Sequence, residues 1–259
     1  MREERYMKGN KHKISLDEVI DYAKCPMLYK LKYVDKIGTE YTNLINKYKE
    51  DIKTIIYSSL YKIVEFENIQ IEHLKIAWGK LWIKDKRKSN IIFSETLSNK
   101  DTYNERRKSG LDALLYFHKE FKDPGIPIAI NKEYEIDISN NLVLTGKFEL
   151  IRKYKSSIDT AIFKLDENHL QKLSLQYDLE LNALNIANKK YINSMNKTIT
   201  MYNLDKKKKI NINIKNLNEE TFKNTVLNIY KAIYNKLFYI VPSERCVSCI
   251  YKDICTKKL

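Results

Sequence analysis

Four cysteines, placed at the two ends of the chain, constrain the fold of this sequence more than any other feature. Cys25 stands alone near the N-terminus, and Cys246, Cys249 and Cys255 close the C-terminus with the spacing C-x-x-C-x-x-x-x-x-C. Thiolates bind soft metals, and a C-x-x-C step lets two sulfur atoms of one short turn reach a single metal centre. Three ligands at one end require a fourth, and Cys25 is the only cysteine left. The pattern therefore predicts a metal ion or cluster that joins the two ends of the chain.

Disulfides and a structural zinc ion are the alternatives to an iron–sulfur cluster. The sequence has no recognisable signal peptide and no apolar run of about 20 residues, so we expect a cytoplasmic protein that does not enter a membrane and whose thiols stay reduced. A zinc ion held by four thiolates is chemically as reasonable as a cluster, and the spacing alone does not separate the two.

The charge of the chain favours a polyanionic partner. The net charge is +14, from 47 Lys and Arg against 33 Asp and Glu, and an excess of this size is typical of proteins that bind nucleic acid. Most of the excess is lysine, which contacts phosphate as a point charge without the bidentate geometry of arginine. We therefore expect salt-sensitive contacts with the DNA backbone. An A/T-rich genome, which also enriches Lys, Asn, Ile and Tyr, is the other explanation.

Two basic segments are the candidate DNA contacts. One is a predicted hairpin turn, and the other belongs to a predicted polar loop over about 84–100. Ordinary solvated charge is the alternative for both segments. Their residues are Lys206, Lys207, Lys208 and Lys209 in the turn, and Lys86, Arg87 and Lys88 in the loop.

Hydrophobic periodicity predicts an α/β fold with one domain over residues 1–259. A mixed central sheet is flanked by helices, a helical insertion covers about 67–122, and a cysteine-rich tail at 241–259 closes on Cys25. Residues 1–12 are expected to form a loose end. The predicted helices cover about 15–35, 41–66, 69–83, 101–121, 170–190 and 216–238, and the predicted strands about 133–138, 142–151, 158–165, 197–204 and 209–214.

An early Cys25-Pro26 pair combined with the late cysteine triplet resembles the iron–sulfur branch of the RecB-like PD-(D/E)XK nucleases. This branch includes the AddB nuclease domain and the CRISPR-associated adaptation exonucleases, and the resemblance covers about residues 15–255. It implies a PD-(D/E)XK nuclease fold and a 4Fe–4S cluster that the four cysteines hold between the N- and C-terminal segments. It also implies DNA, as single strands or duplex ends, as a partner within a larger DNA-processing complex.

The family's catalytic positions are only partly present in this chain. Such a site holds Mg²⁺ or Mn²⁺ on acidic side chains, and a nearby Lys orients or deprotonates the attacking water. The segment Gly146–Glu149 matches the second-strand signature, with Glu149 in the place of Asp. Lys164 matches the Lys of the third-strand signature, but Ile162 takes the place of the acid, and Ile cannot bind a hard cation.

Two further positions of the family fall on helices. Gln176 matches the Gln of the helix that follows the third strand, and Glu180 stands four residues on, in the place of Tyr. The family's early His corresponds to Tyr61. Tyr61, Glu149 and Ile162 thus depart in identity from the expected chemistry.

Two explanations of these departures compete. In the first, the missing carboxylate has migrated to Glu180, Asp159 or Asp166, and the chain is an active Mg²⁺- or Mn²⁺-dependent DNA exonuclease or endonuclease that uses Glu149 and Lys164. In the second, metal binding and hydrolysis are lost, and the chain is a DNA-binding or assembly subunit. A zinc-stapled protein-interaction module without a nucleic-acid role is a third possibility. If the cleft is mostly polar, replacing Ile162 and Glu149 by Asp is neutral for folding.

Overall fold

The computed structural model describes residues 11–38, 42–65, 68–86, 91–92, 99–165, 178–192, 197–243, 246 and 249–256. The α-helices in these ranges are α1 (Leu16–Lys24), α2 (Pro26–Tyr29), α3 (Leu44–Val64), α4 (Ile71–Lys86), α5 (Asn99–Glu120), α6 (Leu179–Tyr191), α7 (Glu219–Tyr234) and α8 (Lys252–Thr256). The strands are β1 (His12–Ser15), β2 (Thr42–Asn43), β3 (Ile91–Ile92), β4 (Ile126–Ser139), β5 (Leu142–Tyr154), β6 (Ser157–Lys164), β7 (Lys197–Asn203) and β8 (Lys208–Asn211). A π-helical turn over Lys30–Val34 and a 3-10 turn over Ile214–Asn216 complete the set.

Six of the strands form one mixed sheet, which confirms the predicted mixed α/β architecture. The order is β1-β5-β6-β7-β8, and β4 pairs with β5 as well. The β1–β5 and β6–β7 pairs are parallel, whereas the β4–β5, β5–β6 and β7–β8 pairs are antiparallel. Strand β1 was not predicted, because four residues are too few to give a clear alternation of apolar and polar side chains.

Strand β5 leaves part of one edge without a strand partner. Strand β4 pairs along β5 from end to end, so β1 and β6 must share the opposite edge. There β1 pairs with residues 142–145 and β6 with residues 150–154. Residues 146–149 therefore form a notch in the sheet between the end of β1 and the end of β6.

Helices cover both faces of the sheet. On one face, α1, α6 and α7 contribute to an apolar cluster that includes Val19, Leu184 and Val226. On the other face, α3, α4 and α5 contribute to a second cluster that includes Ile56 and Phe117. Helices α4 and α5, predicted as an insertion, thus supply part of a core layer. No helix in the described ranges combines the length and apolar composition that crossing a bilayer requires.

Several predicted boundaries move in the structure. The predicted helix over 15–35 breaks at Cys25, whose backbone is extended, and Pro26 begins α2 as a first-turn proline. A capping box begins α1, since the Ser15 side chain accepts the N–H of Glu18 and the Glu18 carboxylate accepts the N–H of Ser15. Helix α4 continues to Lys86, beyond the predicted start of a loop at about 84.

Candidate functional site

A cavity of about 920 Å³ opens at the notch in β5. Its wall is built from β1, α1, α3, β4, β5, β6 and both ends of α6, so seven elements converge on it. A concave site of this size at an interruption of a sheet is a natural place for binding or chemistry. Two ion pairs line this cavity, and their side chains are those of Lys53, Glu149, Lys164 and Glu180.

A local irregularity of the sheet accompanies the placement of Glu149. The β4–β5 ladder pairs Lys132 with Phe148 and Ile130 with Leu150, but it skips Asn131 and Glu149. Asn131 has a positive φ of 52°, a left-handed conformation that Asn tolerates better than most residues. Glu149 is only 8% exposed, and its Oε2 accepts the backbone N–H of Phe163 at 2.5 Å.

Helix α3 brings a lysine and a tyrosine to the same carboxylate. Lys53 Nζ lies 2.5 Å from Glu149 Oε1, and Tyr57, one turn further along α3, lines the same cavity as Glu149. Burial by itself would raise the pKa of Glu149, but the charges of Lys53 and Lys164 and the hydrogen bonds from Lys53 and Phe163 lower it. Burial and the Glu149 carboxylate raise the pKa of Tyr57. Glu149 is thus an anion that is already neutralised, and Tyr57 is a neutral phenol.

A second ion pair forms part of the cavity wall on the side of α6. Lys164, at the end of β6, pairs with the carboxylate of Glu180, and both side chains are largely buried. Asp178 caps the N-terminus of α6 by accepting the N–H groups of Glu180 and Leu181, which fixes the first turn that carries Glu180. The predicted site residues Glu149, Lys164 and Glu180 therefore meet in one cavity. Gln176 and Asp166 lie outside the described residues.

Ile162 belongs to the apolar core. Its exposure is 0%, and it lies in the same cluster as Leu181 and Ala183 of α6. The expectation that a mostly polar cleft surrounds position 162 is wrong, because this part of β6 is sealed under α6. A carboxylate introduced there would lose its hydration without gaining a partner.

Asp159, predicted as a possible migrated acid, instead forms an ion pair and hydrogen bonds in the buried sheet. It is 1% exposed, and its Oδ2 accepts the Arg152 Nε–H at 3.0 Å. Its Oδ1 accepts the hydroxyl groups of Thr198 and Thr200 at 2.9 and 2.6 Å. This buried network joins β5, β6 and β7, and Asp159 is not among the residues that line the cavity. Asp159 therefore has a structural role and is not part of the candidate site.

Tyr61, aligned with the family's early His, is 50% exposed and does not line the cavity. Tyr57, one turn earlier, lines the cavity instead. Lys53 and Tyr57 were both missed by the sequence analysis. Their signal was present, because two polar side chains four residues apart flank the buried Ile52 and Ile56 on one helix.

Gly146 allows the wall of the cavity to form. Tyr134 of β4 is its cross-strand partner, and a Cβ atom at Gly146 would lie 2.4 Å from the Tyr134 hydroxyl oxygen. The aromatic ring therefore lies across the glycine, an arrangement that other residue types obstruct. The glycine of the second-strand signature thus has a packing role in this chain.

The C-terminal tail returns to the segment that holds Cys25. The Tyr22 hydroxyl donates to the Leu237 carbonyl at 2.6 Å, and the Met27 N–H donates to the Tyr239 carbonyl at 3.1 Å. Further along the tail, the buried Tyr251 donates its hydroxyl to the Ile37 carbonyl at 3.2 Å. The two ends of the described chain are therefore held together by hydrogen bonds.

The thiol of Cys249 lies near the thiols of the other three cysteines. Burial raises the pKa of Cys249 most strongly, and the neighbouring thiols of Cys246, Cys25 and Cys255 raise it further. Within the part of the chain that the structure describes, no three His, Cys, Asp or Glu side chains are already arranged to hold a metal ion. The donor types present, four partly buried thiols, are chemically suited to a soft metal or a cluster.

The structure describes the whole of one basic segment and only part of the other. Lys206, Lys207, Lys208 and Lys209 are all exposed at the β7–β8 turn, as predicted, although β8 already begins at Lys208. In the other segment, Arg87 and Lys88 lie outside the described residues.

Comparisons of the chain with protein-family models and with curated proteins found no match. Its function is therefore inferred from the cavity, the cysteine cluster and the basic hairpin.

Proposed function

We propose that this chain is an iron–sulfur PD-(D/E)XK-fold protein of DNA processing that is impaired as a nuclease and acts as a DNA-binding or assembly subunit. One observation carries the proposal. Glu149, the acid at the family's second-strand position, is ion-paired with Lys53, whereas Ile162 at the third-strand position is buried in the apolar core.

Loss of hydrolysis follows from the chemistry of these two positions. A catalytic Mg²⁺ or Mn²⁺ requires oxygen ligands with free lone pairs, usually including one or two carboxylates. The carboxylate of Glu149 is occupied by Lys53 and the Phe163 N–H. The Glu180 carboxylate is paired with Lys164. Each carboxylate would have to give up a cationic partner before it could bind a metal ion.

The cysteine cluster is proposed to hold a 4Fe–4S cluster, with zinc as the alternative. Cys25, Cys246, Cys249 and Cys255 would be the ligands, and the bound group would add thiolate–metal bonds to the hydrogen bonds that already join the two ends. Elemental analysis of anaerobically purified protein separates the two groups. Iron with acid-labile sulfide and a brown colour supports the cluster, whereas zinc without iron supports the zinc module.

DNA is proposed to contact the β7–β8 hairpin and the neighbouring surface of α5. Lys207 pairs with Asp112 of α5 at 3.2 Å, so the hairpin tip lies against this helix. Lys108 is exposed and lies one turn before Asp112 on the same helical face. Together with the exposed Lys206 and Lys208, it extends the positive surface beyond the hairpin, which suits a phosphate backbone.

A matched pair of charge reversals tests this contact. Lys208→Glu should weaken binding to single-stranded DNA several-fold and make the salt dependence shallower by about one unit in the log–log slope. Lys231→Glu changes the net charge equally, but at an exposed position on α7, and should have a smaller effect. Equal effects of the two variants would show that only net charge matters and that the hairpin is not the contact. Absence of binding to any nucleic acid at low salt would favour the zinc-stapled interaction module.

An active nuclease is the second candidate, and one observation favours it. Glu149, Lys164 and Glu180 line the same cavity, as a rearranged Mg²⁺- or Mn²⁺-dependent site requires. In this case Glu180 is the migrated acid, and Lys164 orients the attacking water.

A further inference from the structure

The cavity has a different charge from the rest of the molecule. The whole chain carries +14, but the cavity wall has five lysines and six acidic side chains. The cavity therefore offers little attraction to a phosphate group and a net attraction to cations. Its most buried carboxylate, that of Glu149, already has a cationic partner in Lys53.

Lys53 reaches this carboxylate from outside the sheet. Its side chain is 36% exposed, so the long apolar stem extends from α3 while the ammonium group meets Glu149 inside the cavity. The Nζ–Oε1 distance of 2.5 Å leaves no room for a metal ion on the same oxygen, since a divalent ion binds oxygen at about 2.0–2.2 Å. An ammonium group and a metal ion at this oxygen exclude each other.

We propose that the Lys53 ammonium group is a tethered cation that holds Glu149 and excludes divalent metal ions from the cavity. Replacing Lys53 would then free Glu149 to bind a divalent cation, and Glu180 would join as a second ligand once the ion displaces Lys164. The inference deepens the proposed function, because it assigns the loss of metal binding to one side chain of α3.

Tethering gives Lys53 an advantage over metal ions from solution. The lysine is always present at a high effective concentration, whereas a free ion must be recruited and partly dehydrated. Glu180 can act as a second ligand only after it releases Lys164, which pairs with Glu180 and also lowers the pKa of Glu149. The two carboxylates thus flank one lysine, and water molecules would complete the coordination of a bound ion.

A manganese titration without DNA tests the proposal. Binding of Mn²⁺ is measured by the loss of its free electron paramagnetic resonance signal. The proteins compared are the wild type, Lys53→Met, Glu149→Gln, the double variant of these two changes, and Lys80→Met as an exposed control on α4. We expect Lys53→Met to bind one Mn²⁺ at least about tenfold more tightly than the wild type or Lys80→Met. The double variant should lose this gain.

Two outcomes would overturn the proposal. One is a folded Lys53→Met protein that gains no Mn²⁺ site. The other is a wild-type protein whose Mn²⁺ binding equals that of Lys53→Met and disappears in Glu149→Gln. If Lys53→Met does not fold, the comparison of wild type with Glu149→Gln decides, because the proposal requires no Glu149-dependent binding in the wild type. Because no DNA is present, failure here is distinct from failure of the proposed DNA binding.

Discussion

The carboxylate of Glu149 accepts the backbone N–H of Phe163 at 2.5 Å, just beyond the point where β5 and β6 stop pairing. The last described pair of that ladder is Leu150 with Ala161. Where the β5–β6 ladder ends, the Glu149 side chain of β5 therefore replaces the β5 backbone as the hydrogen-bond acceptor for β6. Glu149 contributes to the sheet as well as to the cavity, which gives it a structural role independent of any catalytic one.

Glu149→Gln should make the stability of the protein less dependent on pH. The folded-state pKa of Glu149 lies below its ordinary value of 4.5, so its ionised form stabilises the fold fully above that value. This contribution is lost as the pH falls through the folded pKa. At neutral pH the variant should lose about 3 kcal/mol, because Lys53 is left without its partner. As the pH falls from about 4.5 through the folded pKa, the two proteins should progressively converge, as urea denaturation at several pH values would show.

Glu133→Gln is the control for this prediction. Glu133 lines the same cavity, but its side chain is 79% exposed and it pairs with Lys147 at 3.4 Å. An exposed pair contributes little to stability, so this variant should follow the wild type at every pH. Equal pH profiles for the wild type and Glu149→Gln would contradict the assigned ion pair.

Gly146→Ala should destabilise the protein by about 1–3 kcal/mol, because the new methyl group overlaps the Tyr134 ring and displaces it. Gly79→Ala is the matched control, since nothing lies within 4 Å of a Cβ atom at that position of α4. In a helix this second change should be neutral or stabilising by up to about 1 kcal/mol. Thermal melts of the two variants check the prediction, which fails if Gly146→Ala melts at or above the wild-type temperature.

Ile162→Asp should impair folding, in contrast to the expectation from the sequence. The new carboxylate would be buried under α6 in an apolar cluster. We expect little soluble protein, or a loss of more than about 4 kcal/mol of unfolding free energy. Ile162→Val keeps the apolar character and should cost about 0.5–1.5 kcal/mol. An Ile162→Asp protein that unfolds with wild-type cooperativity and midpoint would show that this position is not sealed.

Cys25→Ser and Cys246→Ser should each lower both the metal content and the melting temperature. Each change removes one ligand from the same proposed group, so the double variant should be little worse than either single variant. Inductively coupled plasma mass spectrometry and calorimetry on anaerobic samples measure the two effects. Unchanged metal content in either single variant, or fully additive losses of stability, would contradict a shared site.

The alternation of apolar and polar residues predicted most of the sheet, because its long strands each have a buried face. It did not predict that β1 and β6 share one edge of β5, since edge sharing depends on pairing between distant segments. The notch that holds Glu149 therefore had no signal in the sequence. The left-handed Asn131 was equally hidden, because single Asn residues adopt this conformation in many contexts.

The candidate site was predicted only in part, because local sequence patterns do not show which distant residues meet in the fold. Glu149 and Lys164 were found through their positions in strand signatures, and Glu180 through its place on a helix. Lys53 was missed because it comes from α3, about 100 residues before Glu149 in the sequence, and no local pattern links the two residues. The burial of Ile162 depends on α6 covering β6, which only the three-dimensional packing reveals.

A nuclease assay tests the central claim most directly. End-labelled single- and double-stranded DNA is incubated with anaerobically purified protein in Mg²⁺ and in Mn²⁺, with Lys164→Ala as the control, and binding of the same DNA is measured at low salt. The account predicts intact DNA with both metals and DNA retained by the protein. Metal-dependent cleavage that disappears in Lys164→Ala would contradict it and would identify an active nuclease.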